Sequence, residues 1–238
     1  MATEIPVPDG QVTKRTLNFF WLTDCSASMG GKKIATLNQA IREALPLIQK
    51  AVESHPQVQI MMSAIKFSDE AEWHIGPEAV PLERFVWSEL SSDGLTATAK
   101  ALRMLGQALS IERMPRRGFP PVCILISDGF STDPEEEYNG AIAELNKLPW
   151  GMKAIRLAIA LGEETEYNEK ELLKFVNQPG VGLLKAHNAE ELLTYIKWAS
   201  TEATLSSSRS KSKDLRDDTS NVVLSTPPPT ITSSTEPF

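Results

Sequence analysis

Three short stretches carry residues whose types and spacing could do chemistry. In residues 24–28, DCSAS, one carboxylate and two hydroxyls (Asp24, Ser26 and Ser28) alternate with Cys25 and Ala27. In extended or looped backbone, alternate side chains point the same way, so these three can open into one oxygen-lined pocket. Hard oxygen donors in this number favour a hard divalent cation over the softer metals that thiolates and imidazoles select. Taken alone, the same residues would equally serve as a turn aspartate and helix-capping serines. Thr96 opens a helical stretch within 94–98, GLTAT, where it is either an N-cap or a further donor, and Asp128 closes the apolar run 122–127, VCILIS.

The elements that must position these residues follow from hydrophobic period. Residues 17–23 form an apolar run without a polar period, which suits a strand buried on both faces; 58–67 is a second strand, 122–127 the strongest parallel-strand candidate and 154–161 another buried strand. A short edge strand is expected over 71–76, reached by a tight turn at Ser68-Asp69 that implies antiparallel pairing, and a last short strand over 182–186. Between them, helical spacing runs over 32–54, with a kink expected at Pro46, and over 94–109. Further helices are expected from the start signal at Asp133-Pro134-Glu135-Glu136 to about 147, from the Asn168 cap to about 176, and from 189 to about 201. Asp133 thus has a structural task of its own as N-cap. Strand and helix alternate throughout, which predicts an α/β, Rossmann-like, doubly wound and mainly parallel six-stranded sheet with one antiparallel edge strand. Ligands of such sheets bind beyond the carboxyl ends of the strands, where strand order reverses. If the first and fourth strands are neighbours there, Asp24, Ser26, Ser28, Thr96 and Asp128 converge.

Composition bounds the rest. The chain has 238 residues, is 41% hydrophobic and carries a net charge of −7, which suits a packed core and argues against nucleic-acid or anionic-membrane partners. No run approaches the eighteen or so apolar residues of a membrane helix, and no signal-peptide core is evident, so a cytoplasmic protein is expected. Cys25 and Cys123 are expected as free thiols. Trp73, Trp87 and Trp150 either line an interface or cover the core. The expected organisation is a leader over 1–14, one domain over 15–200 and a disordered Ser/Thr/Pro-rich tail over 201–238.

DCSAS, GLTAT and ISDG (126–129), in this order and spacing, resemble the three parts of the metal-ion-dependent adhesion site of von Willebrand factor A domains, matching at Asp24, Ser26, Ser28, Thr96 and Asp128. Within that family the texture is most similar to bacterial TerY-type proteins of tellurium-resistance and stress operons, which are encoded beside a protein kinase and a protein phosphatase. The resemblance implies a Mg²⁺ site, with Mn²⁺ as the alternative. Ser26, Ser28 and, in an open form, Thr96 would bind the ion directly, with Asp24 and Asp128 acting largely through water. It also implies a non-enzymatic module whose open coordination position takes an Asp or Glu carboxylate from a partner protein. The alternative, a metal-dependent phosphohydrolase with Asp24 as nucleophile, has against it the serine at position 26 and the lack of a lysine, histidine or arginine accompanying the motifs; His55, His74 and His187 are scattered. A dinucleotide-binding reading fails because no GxGxxG follows the first strand.

Overall fold

A computed structural model describes residues 14–53, 55–115, 117–128, 130–178, 180–209, 224–229 and 237–238. The chain order is β1 (Arg15–Asp24), α1 (Lys32–Val52), β2 (Val58–Phe67), β3 (Ala71–Pro81), α2 (Thr98–Ala108), β4 (Val122–Ser127), α3 (Glu135–Lys147), α4 (Pro149–Lys153), β5 (Ile155–Leu161), α5 (Glu169–Phe175), β6 (Leu184–Ala186) and α6 (Ala189–Arg209). The strands form one sheet in the order β3-β2-β1-β4-β5-β6. All neighbours are parallel except β2 and β3. Strand order therefore reverses between β1 and β4, where β1 ends in Asp24 and Asp128 directly follows β4, as the expected architecture requires.

Pleating sorts β1 between two apolar layers. Leu17, Phe19 and Trp21 pack with α1 and α6, while Phe20 and Leu22 face α2, α3 and α5 on the other side. A central strand with both faces covered has no polar alternation, which is why 17–23 reads as continuous apolar sequence. Trp87 and Trp150 are buried, and Trp73 is half-buried against the second layer. The tryptophans cover the core.

Several boundaries differ from the sequence expectation. β3 runs to Pro81 rather than ending near 76, with register shifts against β2 that let it continue past the Gly76–Pro77 bond. α1 continues unbroken through Pro46. α2 begins at Thr98, later than the apolar period implied. α4 was not expected. α6 extends to Arg209, eight residues beyond its expected end, so 201–209 are helix and not disordered tail. Several of its hydroxyls are hydrogen-bonded: Ser200 donates to the Ile196 carbonyl and Thr201 to that of Lys197 within the helix, and Ser207 donates across to the Pro120 carbonyl, while the buried Thr204 hydroxyl has no protein partner among the described residues. Of the remaining tail, Leu224 and Phe238 pack against the α1/α6 layer. The leader before Lys14 and positions 210–223 and 230–236 lie outside the described residues.

Candidate functional site

Where β1 stops, the chain folds back on the last strand residue. Asp24 is fully buried, and its Oδ1 accepts a hydrogen bond from the Ser26 backbone N–H at 2.8 Å, the local turn to which aspartate is suited. A single 3₁₀ turn over Ala27–Met29 follows, with Met29 buried as its anchor, and Gly31, at φ 71°, leads into α1. From the end of β4, the Ser127 hydroxyl donates to Asp24 Oδ2 at 2.5 Å. Next to it, Asp128 Oδ1 accepts from Ser28 Oγ at 2.8 Å, and the Ser26 and Ser28 hydroxyls share a hydrogen bond of 3.0 Å. Asp24, Ser26, Ser28 and Asp128 therefore form one connected oxygen cluster drawn from two strand ends.

Thr96 arrives from a loop held at several points. Buried Asn38 on α1 binds the Leu90 backbone in both directions and accepts from the Trp87 indole. The Ala27 N–H donates to the Gly94 carbonyl at 3.0 Å and the Ala97 N–H to that of Ser68 at 2.7 Å. Asp69 Oδ1 accepts from the Leu95 N–H at 2.8 Å. Thr96 thereby lines, with Ser28, Lys33, Asp128, Phe130, Thr165 and Glu166, an open cleft of about 360 Å³.

Thr96 caps no helix: the residue preceding α2 is Ala97, and no side chain of the α2 segment caps its amides. That task falls to Asp133. Its Oδ2 accepts from the Ala99 N–H at 2.7 Å and from Ser131 Oγ at 2.6 Å, and α3, for which it was the expected cap, has none. The Asp-Pro-Glu-Glu signal does precede a helix, but the Asp133 carboxylate hydrogen-bonds the α2 terminus, and no side chain caps α3. Thr132 also exchanges hydrogen bonds with the Thr96 backbone. Asp133→Ala is expected to destabilise the protein by about 1–2 kcal/mol through loss of this cap and to loosen Thr96, measured by chemical denaturation and by metal titration of the folded variant.

Burial pushes the Asp24 carboxyl up to about 6; the Asp128 charge adds to this, and the hydrogen bonds from Ser127 and Ser26 oppose it. The Cys25 thiol is buried, directed at the Thr23 carbonyl, and pushed up to about 12 by desolvation and then by Asp24, so it is chemically quiet at neutral pH. Cys123 is likewise free, buried and raised to about 12.

One residue that sequence reasoning missed stands inside the cluster. Lys33 Nζ lies 2.7 Å from Asp128 Oδ2 and 3.8 Å from Glu166, so the expectation that no lysine accompanies the motifs is corrected. Two adjacent lysines at a helix start look like solvated surface, and only the meeting of the α1 terminus with the end of β4 brings one of them inward. A cation where the helix end favours an acid was the available signal.

A family model for the von Willebrand factor type A domain matches residues 19–194. The chain belongs to the von Willebrand factor type A domain family. A search of curated protein sequences finds no significant match. Among solved structures, this von Willebrand factor A domain is similar to a von Willebrand factor type A protein from Catenulispora acidiphila, with TM-score 0.58 and 16% identity over 80% of this chain and 43% of that one. It is also similar to proximal thread matrix protein 1 from the mussel byssus, described with a zinc-occupied MIDAS motif, at TM-score 0.56 and 15% identity over 81% and 46%. A third is the ArnB paralog VWA2 from Sulfolobus acidocaldarius, at TM-score 0.56 and 20% identity over 78% and 45%. The domain spans less than half the length of each of these proteins, and at such identities the likeness is one of fold.

The oxygen cluster fits a hard divalent cation. Its donors are two hydroxyls and two carboxylates joined in one cluster, the hard oxygen ligands that such an ion prefers. Among the described residues, no group of three or more His, Cys, Asp or Glu side chains could hold a metal. Asp24 is poorly placed as a nucleophile, because it is fully buried and both of its oxygens already accept hydrogen bonds. Among the described residues, no helix is long and apolar enough to cross a membrane.

Proposed function

We propose that this domain is a metal-dependent protein-interaction module, in which the cleft between the ends of β1 and β4 holds Mg²⁺, or Mn²⁺ in its place, and receives an Asp or Glu carboxylate of a partner protein. The single observation that carries this reading is the hydrogen-bonded cluster of Asp24, Ser26, Ser28 and Asp128 opening into the cleft that Thr96 lines. The residues that would hold the ion are Ser26, Ser28 and Thr96 through their hydroxyls, and Asp24 and Asp128 chiefly through water. When bound, the ion supplies an electrophilic position for an anionic ligand, because uncharged hydroxyls neutralise little of its charge.

The chain's own residues do the remaining work. Ser127 and the Ser26 amide fix the Asp24 carboxylate from opposite sides, so the loop behind the cleft is set before any ligand arrives. Leu95, beside Thr96, and Phe130, in the cleft wall, are 59% and 52% exposed. They offer apolar contact around a bound acid, the usual companion of a central charged anchor at an interface. The similarity of the motif run to TerY-type proteins supports a cytoplasmic setting in a bacterial stress or tellurium-resistance system, with a protein kinase and a protein phosphatase as candidate partners.

Capture of partners from a lysate by the immobilised domain tests the reading, run with Mg²⁺, with chelator, and with Mg²⁺ plus excess acetate as a free carboxylate competitor. Retention of a protein only with Mg²⁺, weakened by acetate and absent from the Ser28→Ala variant, is expected. Capture that chelator leaves untouched contradicts it.

A further inference from the structure

Lys33 breaks the ordinary rules of helix electrostatics. It is the second residue of α1, where the partial positive charge of the helix end favours an acid over a cation, and its side chain is only 11% exposed, although lysines are normally left in water. Asp128 holds it there. Nζ sits 2.7 Å from Oδ2 of that carboxylate, while Oδ1 takes the Ser28 hydroxyl. Asp128 therefore faces an ammonium on one side and the hydroxyl cluster on the other. Glu166, 3.8 Å from Nζ and half-exposed, is the other anion within reach.

We infer that Lys33 is a tethered counter-cation of the metal site, which neutralises Asp128 when no metal is bound and weakens the site's hold on a divalent ion. The inference rests on the metal-site reading above and deepens it. Asp24 and Asp128 are the two carboxylates of the cluster, and the Lys33 charge cancels one of them. An incoming divalent ion meets too little negative charge for tight binding and is repelled by the ammonium that shares Asp128. The charge it still lacks is what a partner's carboxylate brings. Metal retention and partner binding are thereby made mutually dependent, and metal alone is held loosely.

The test is calorimetric titration of Mn²⁺ and Mg²⁺ into the full chain, as wild type, Lys33→Gln, Lys33→Met and Lys33→Arg, together with thermal unfolding with and without metal. Removing the charge is expected to tighten Mn²⁺ binding about tenfold, the order set by one unit charge at short range in a partly screened site. Lys33→Arg, which keeps the charge, should stay within about threefold of wild type. Metal-free Lys33→Gln should melt below wild type, because buried Asp128 loses its partner, and saturating metal should close that gap. A residue of merely structural importance would lower the melting temperature without raising metal affinity. Equal or weaker Mn²⁺ binding by folded Lys33→Gln or Lys33→Met overturns the inference, as does failure of both to fold even at saturating metal, since the ammonium would then be indispensable to the fold and not exchangeable for the ion. If wild type and the charge-removing variants alike bind no metal, the metal-site reading itself falls; if all bind equally, only the role of Lys33 does.

Discussion

Asp24→Asn is expected to make the metal-free protein more stable at neutral pH, by about 2 kcal/mol, while abolishing its stabilisation by divalent cations. The carboxyl is raised from its ordinary 3.8 to about 6 in the folded state. Between about pH 4 and about pH 6 the folded chain therefore binds a proton that the unfolded chain has released, so this group's contribution to stability falls as pH rises through that window. Two units at about 1.4 kcal/mol each make the full penalty about 3 kcal/mol, present throughout above pH 6. Asparagine matches the shape. Its carbonyl can accept from the Ser26 amide and its amide can donate to Ser127 Oγ, so the penalty is removed with the packing kept. Denaturant unfolding in chelator across this pH range should show a wild-type decline that the variant lacks. Wild type with saturating Mg²⁺ should also lose the decline, because the ion replaces the proton as the neutralising charge. A variant less stable than wild type in chelator at neutral pH would contradict this electrostatic account of Asp24.

Gly94→Ala is expected to cost about 2 kcal/mol or more and to weaken metal binding at least tenfold in the protein that remains folded. Gly94 has φ 81°, a region that strains any residue with a side chain by about 1–2 kcal/mol. A Cβ there would also lie 2.8 Å from an Asp69 carboxylate oxygen. Moving Asp69 aside breaks its bond to the Leu95 N–H, and the Gly94 carbonyl itself holds the Ala27 amide of the serine loop. Both displacements fall on the neighbours of Thr96, so site geometry suffers along with stability. Denaturant unfolding paired with Mn²⁺ titration measures the two effects; an unchanged metal affinity would mean that the position of Thr96 does not matter to the ion.

The sheet, and the meeting of Asp24, Ser26, Ser28 and Asp128 at the ends of β1 and β4, were legible in the sequence. Apolar runs of strand length end in Asp24 and Asp128, and the alternation of Asp24, Ser26 and Ser28 already puts three oxygens on one side of the chain. What escaped depends on which elements meet in space. Asp133 reads as the cap of the helix that follows it, yet it caps α2, because the loop after β4 folds back over the Thr96 segment. Lys33 reads as one of two surface lysines until the end of β4 delivers Asp128 beside it. Asp69 reads as half of a tight turn, and only the approach of the Gly94 loop gives it a backbone amide to hold. The Ser/Thr-rich composition after position 200 argued for disorder, but Ala199 and Ala203 continue the buried face of α6, and the Ser200 and Thr201 hydroxyls bond back to preceding carbonyls within the helix. Pro46, inside unbroken α1, shows the same override, since tertiary packing outweighs local propensity where a helix has a large face to bury.

The central claim is that the Ser26 and Ser28 hydroxyls, braced by Asp24 and Asp128, hold a divalent ion in the cleft beside Thr96. Calorimetric titration of Mn²⁺ into the wild type and into the Ser26→Ala/Ser28→Ala double variant tests it most directly. The account predicts saturable binding of a single ion by the wild type and none by the double variant, whose unfolding transition in chelator remains cooperative. Undiminished Mn²⁺ binding by the folded double variant would contradict it.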